Sequence, residues 1–171
     1  MRRWLLRLFL ALPVLVIVGL AAAIAFNSPG RPPVLPAGNS IPGIEAWPWP
    51  ELPAVQSVTA RDGARLNYRL YPGRPDRAVV LVHGSTGSSA EMLQLARALQ
   101  AAGASVYAIA LRGHGGSGPR NGDVSYVGQL DDDIVDIVKA VGIDRPGVRR
   151  TLAGFSAGGG LVLRFAGGPQ A

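Results

Sequence analysis

Residues 151–160 read TLAGFSAGGG. A short strand-forming run, Thr151-Leu152-Ala153, passes into Gly154-Phe155-Ser156-Ala157-Gly158. The spacing is Gly-x-Ser-x-Gly, the pattern that sets a serine on a tight turn between a strand and a helix. Positions two before and two after such a serine must be small, and Gly154 and Gly158 meet that demand. The next N–H, from Ala157, would open a helix, where backbone donors are free and the dipole favours negative charge. Ser156 is therefore read as a nucleophile and the Ala157 N–H as a donor to an oxyanion.

Working outward, the chain upstream alternates strands and helices. VQSVTARDGARLNYRLY carries Asp62-Gly63 between two alternating runs, which predicts a hairpin with strands near 55–60 and 65–71. AVVLVHG, 78–84, is a continuous β-branched run suited to a buried parallel strand. SSAEMLQLARALQAAG predicts a helix with a Ser88–Glu91 capping box and a stop at Gly103. SVYAIA, 105–110, is a second buried strand. YVGQLDDDIVDIVKAVG, 126–142, predicts an amphipathic helix with Val127, Leu130, Ile134, Ile137, Val138 and Val141 facing inward. Asp131, Asp132, Asp133 and Asp136 are read as its solvated face rather than a metal site, because consecutive helical positions point in different directions. RRTLAGFS closes the series as a strand with a helix after it. Hairpin followed by strand–helix repeats indicates an α/β layer fold.

In open α/β sheets ligands sit beyond the carboxyl ends of the strands. Three glycine-rich loops arrive there: HGSTGSS, LRGHGGSG and GFSAGGG. The first supplies the Ser85 N–H as the expected second oxyanion donor. GHGGSG also fits Gly-x-Gly-x-x-Gly, but a dinucleotide fingerprint needs a helix opening on its glycines, and here residues 119–125 intervene.

LVHGSTGSS, ALRGHGGSG, YVGQLDDDI and LAGFSAGGG together resemble the α/β-hydrolase superfamily. Within it they resemble the lysophospholipase, monoacylglycerol-lipase and serine-aminopeptidase-like group. Ala110 stands where that pattern usually has Asp. The resemblance implies an α/β-hydrolase sheet, here its N-terminal part, with helices on both faces. It implies a serine hydrolase acting on carboxylic or lipid esters, or on amides, through an acyl-enzyme on Ser156. Ser85 and Ala157 would form the oxyanion hole, and His83, Gly84 and His114 would belong to loops that shape the substrate site. In the superfamily the acid and the histidine follow the serine. After Ser156 this chain has neither, so the triad's acid and base are expected to be absent from it and the sequence to be C-terminally truncated. A non-catalytic pseudo-hydrolase that binds a partner or lipid is the alternative.

The N-terminus adds a separate expectation. Arg2, Arg3 and Arg7 precede the uncharged run Leu8–Phe26, a pattern that directs export and suits a membrane anchor. A signal peptide cut near Ala21-Ala22-Ala23, leaving a secreted or periplasmic domain, is the other reading. The expected organisation is residues 1–26 as signal anchor or signal peptide, 27–54 as a Pro-rich linker containing Trp47 and Trp49, and 55–171 as the hydrolase portion.

The net charge of +6 rests on arginines scattered along the sequence, which argues against nucleic-acid binding. The absence of cysteine excludes disulfides and thiolate metal sites. No cofactor or metal is expected. The expected partners are a small acyl ester or lipid substrate and, through the N-terminal helix, a membrane.

Overall fold

The computed structural model describes residues 2–26, 51–118 and 124–170, with the side chains of the first segment described from residue 11. Two units are distinguished, Met1–Trp49 and Pro50–Ala171. The first contains α1 (Arg2–Phe26). Its side chains from Leu12 to Phe26 are largely exposed. Among the described residues no helix is long and apolar enough to cross a membrane. Most of the expected linker, 27–50 with both tryptophans, lies outside the described residues.

The second unit follows the order β1 (Val55–Thr59), β2 (Arg65–Tyr71), β3 (Arg74–Val82), α2 (Leu93–Ala101), β4 (Ala104–Ile109), α3 (Gln129–Ala140), β5 (Arg149–Gly154) and α4 (Ala157–Ala166). The sheet runs β1-β2-β4-β3-β5. β2 is antiparallel to β1 and β4, whereas β3 is parallel to both β4 and β5. Asp62-Gly63 makes the hairpin turn as expected, with Gly63 at φ +84°. The Gly103 N–H, at φ +91°, bonds to the Gln100 carbonyl just beyond α2.

Strand alternation divides the core into two layers. Ala78, Val80 and Val82 of β3 pack with Ile134 and Ile137 of α3 and Leu161 of α4. Val79 and Leu81, pointing the other way, pack with Leu93 and Ala96 of α2. Helices thus cover both faces, and the carboxyl ends of β3, β4 and β5 lie together.

Three local expectations need correction. α2 starts at Leu93 with no side-chain cap; Ser88 and Glu91 belong to a preceding turn in which the Glu91 N–H bonds to the Ser88 carbonyl. Val127 is 97% exposed, because α3 begins only after Gly128, whose φ of +99° breaks the register of the preceding residues. The aspartates of α3 are not a solvated face. Arg112, itself 5% exposed, donates to Asp133 at 2.6 and 2.9 Å and to Asp62 of the hairpin. Arg61 pairs with Asp132 and Asp136, and Arg164 with Asp131. The helical period was sound; what it could not show was that a distant loop brings an arginine under the helix.

Candidate active site

Ser156 stands between β5 and α4 at φ +53° and ψ −120°. It is the sole non-glycine residue at positive φ among the described residues. A serine there carries backbone strain of about 1–3 kcal/mol, which the surrounding structure must impose. The imposing contacts are specific. A Cβ on Gly154 would come within 2.3 Å of the Gly158 carbonyl oxygen, and one on Gly158 within 2.4 Å of the His83 carbonyl oxygen. The Phe155 N–H continues the β3–β5 pairing by donating to the Val82 carbonyl at 3.0 Å. The elbow is thereby pressed onto the end of β3, and only glycines fit at its two flanks.

Beyond the turn, the N–H groups of Gly158 and Gly159 bond back to the Phe155 and Ser156 carbonyls. The Ala157 N–H has no acceptor among the described residues, nor has that of Ser85. Both residues are exposed, as is Ser156. Gly84 brings the β3 loop against the elbow: a Cβ there would lie 3.4 Å from the Ser156 Cβ.

The two histidines fasten this loop, and their hydrogen-bond partners among the described residues are backbone groups. His83 is fully buried. Its Nδ1 lies 2.6 Å from the Gly84 carbonyl oxygen, while its Nε2 lies 3.0 Å from the Leu111 nitrogen. That pairing fixes the neutral tautomer with the proton on Nδ1, and burial pushes the ring below the ordinary histidine range. The Gly84 carbonyl also accepts from the Gly87 N–H. Two donors thus hold the peptide plane that carries the Ser85 N–H on its other edge. His114 reaches across with Nε2 2.8 Å from the Ser85 carbonyl oxygen and Nδ1 3.2 Å from that of Arg112. The two rings are 5.2 Å apart.

The loop that presents His114 is itself braced. Ser117, buried, accepts from the Asn67 N–H at 2.8 Å and donates to the Ala110 carbonyl at 2.7 Å. Asn67 Nδ2 donates to the Gly115 carbonyl. Arg112, gripped by Asp133 and Asp62, has its guanidinium held still further above its ordinary range by those hydrogen bonds. Sequence reasoning missed Asn67, Ser117 and the Arg112–Asp133 pair. Ser117 stands within GHGGSG, but the spacing of those glycines gives no sign of its bond to Asn67. α3 opens at Gln129, away from those glycines, so the dinucleotide alternative loses its helix.

A groove of about 520 Å³ lies elsewhere, among Val80, Ile134, Val138, Leu152, Val162 and Phe165. It sits on the face of the sheet covered by α3 and α4, away from the elbow. Among the described residues no acidic or histidine cluster could hold a metal ion.

The fold has many solved counterparts. An α/β hydrolase from Sphaerobacter thermophilus is 28% identical with a TM-score of 0.53, covering 65% of this chain and 39% of its own. An esterase from Pyrococcus furiosus is 26% identical with a TM-score of 0.54, covering 64% of this chain and 44% of its own. A monoacylglycerol lipase from Mycolicibacterium smegmatis is 31% identical over 105 residues, 60% of this chain but 38% of the lipase. The chain thus spans less than half the length of each of these relatives. The family model described as serine aminopeptidase, S33 (Hydrolase_4) matches residues 73–171, from the start of β3 through the elbow, and the chain belongs to that hydrolase family.

Proposed function

We propose that Ser156 is the nucleophile of an ester hydrolase, with the N–H groups of Ser85 and Ala157 as its oxyanion hole. The observation that carries this reading is the strained Ser156 backbone at the start of α4, flanked by two glycines that admit no side chain. The hydroxyl oxygen attacks an ester carbonyl, the carbonyl oxygen takes the charge, and the alcohol departs to leave an acyl-serine that water then cleaves. Two preorganised donors at the developing oxyanion favour this step, each typically worth about 10²–10³ in rate. Acyl esters, including lipid esters, are the proposed substrates, in keeping with the monoacylglycerol lipase among the relatives.

Neither histidine of the chain serves as the general base in this reading, because both ring nitrogens of His83 are hydrogen-bonded to the backbone and both of His114 face backbone carbonyl oxygens. The 171 residues alone are therefore expected to turn over esters poorly, since loss of a triad member typically costs on the order of 10⁴ in rate. The same observation favours the second reading, a non-catalytic hydrolase-like domain. Export directed by Arg2, Arg3 and Arg7 with the following apolar run is proposed with either reading.

A fluorophosphonate probe decides between them. In a form of the protein that includes the whole hydrolase domain, labelling should fall on Ser156 and vanish in Ser156→Ala, with p-nitrophenyl acetate hydrolysis falling at least about 10⁴-fold. A folded, unlabelled protein would establish the non-catalytic reading.

A further inference from the structure

Ser85 lies between two peptide planes, and each is held by a different histidine. The plane before it carries the Gly84 carbonyl, which His83 Nδ1 meets at 2.6 Å. The plane after it carries the Ser85 carbonyl, which His114 Nε2 meets at 2.8 Å. A residue has only two soft backbone dihedrals, so holding both flanking planes fixes the backbone at Ser85. Its own N–H, on an exposed residue and with no acceptor among the described residues, is then presented in one direction. Gly84 packs against the elbow, where a Cβ would lie 3.4 Å from the Ser156 Cβ.

The bond from His114 has a definite direction. Both ring nitrogens face carbonyl oxygens, Nε2 that of Ser85 at 2.8 Å and Nδ1 that of Arg112 at 3.2 Å. A carbonyl oxygen cannot donate, and two acceptor atoms do not approach to 2.8 Å without a proton between them, so Nε2 carries one. His114 in turn is held from behind. Its N–H donates to the Leu111 carbonyl, and its carbonyl accepts from the Ser117 N–H. Gly113, Gly115, Gly116 and Gly118 take φ between +54° and +79°, turn conformations that side chains resist. Ser117 is bonded to Asn67 of β2. The ring is thus anchored through Asn67 to β2, a different element from the loop that it holds.

We propose that His114 is a positioning residue for hydrolysis: the N–H it donates to the Ser85 carbonyl holds the Ser85 N–H in place for the charge that develops on a substrate carbonyl oxygen. The inference rests on the reading of Ser85 as an oxyanion donor. Such a donor works because it is aimed before the reaction starts, and a displacement of about 1 Å can cost about 10²-fold in rate. His83 cannot take over this task. Its one N–H is committed to the Gly84 carbonyl, and its other nitrogen accepts from the Leu111 N–H.

The test separates the bond from the space that the ring fills. In the unaltered chain a long-range proton–nitrogen NMR spectrum should show His114 protonated on Nε2; a bare Nε2 overturns the proposal whatever the variants do. His114→Gln keeps an N–H at nearly the same reach, whereas His114→Met fills similar space and cannot donate. The order parameter of the Ser85 amide should fall from about 0.85 to below about 0.6 in His114→Met and hold in His114→Gln. Circular dichroism melts check that each variant is folded. In a form that includes the whole hydrolase domain, fluorophosphonate labelling of Ser156 should slow roughly 100-fold in His114→Met and stay close to the unaltered rate in His114→Gln. An unchanged order parameter or labelling rate in folded His114→Met overturns the proposal, as does an equal loss in both variants. If the unaltered protein takes no label, the Ser156 reading fails, and positioning for hydrolysis fails with it even where the order parameter shows that His114 holds the loop.

Discussion

At the scale of single residues, the site is a set of places where one atom more or less decides the outcome. Gly158→Ala would drive a methyl group to 2.4 Å from the His83 carbonyl oxygen, a backbone atom of a buried strand end. Overpacking against atoms that cannot swing aside costs about 1–3 kcal/mol or more, so urea unfolding should show a clear loss. Ser156 behaves in the opposite sense. Ser156→Gly removes the side chain that makes φ +53° costly, whereas Ser156→Ala keeps it. Glycine should therefore stabilise the fold by about 1 kcal/mol over alanine at this position, readable as a difference in urea midpoint. His114→Ala should leave the unfolding midpoint nearly unchanged and speed amide hydrogen exchange in residues 84–87, because it removes the bond to the Ser85 carbonyl. The place of the serine and its flanking glycines in the strand-to-helix turn, and of the two histidines in their loops, was legible in the sequence, since their spacing is local. Asn67 and Ser117 were not, since their bond joins positions 50 apart.

At the scale of elements, α3 is the part whose sequence reading changed most. Its apolar period placed Ile134 and Ile137 correctly in the core. Its acidic residues looked like ordinary surface because the period says only which way they point, not what waits there. They are the fasteners that tie α3 to the β1–β2 turn and to the loop of His114. The consequence is a pH dependence carried by the fasteners whose carboxyls are lowered, while burial acts the other way on Asp133 and raises its carboxyl. The Arg112 hydrogen bond lowers the Asp62 carboxyl below its ordinary value, and the Tyr126 hydroxyl does the same for Asp132. Groups lowered in the folded state add stability above their unfolded value, about 3.8, and that contribution is lost as pH falls through the folded value. The melting temperature should accordingly drop between about pH 5 and pH 2. Asp62→Asn should have a lower melting temperature near neutrality and a shallower acid dependence.

At the scale of the whole molecule, the succession of strands and helices followed from hydrophobic runs and glycine-rich turns, helices on both faces followed from the family resemblance, and the sheet order β1-β2-β4-β3-β5 came only with the structure. What such patterns do not carry is the charge map, because that depends on which strands become neighbours. β5 pairs with β3 and is an outer strand of the described sheet. Outer strands offer unpaired N–H and C=O groups to other chains. For the 171 residues by themselves, light scattering should find association that grows with concentration, and Thr151→Lys, placing a further charge on that exposed strand, should reduce it.

The strain at Ser156 also sets a direction for evolutionary drift. A lineage that ceases to depend on the hydroxyl gains folding stability by exchanging this serine for glycine, a one-base change from some serine codons. On the role proposed for Ser156, catalytic loss is in that sense downhill, and the left-handed serine persists only while selection on chemistry outweighs selection on fold. Surveying position 156 among related chains that keep both flanking glycines would therefore sort working hydrolases from retired ones without an assay.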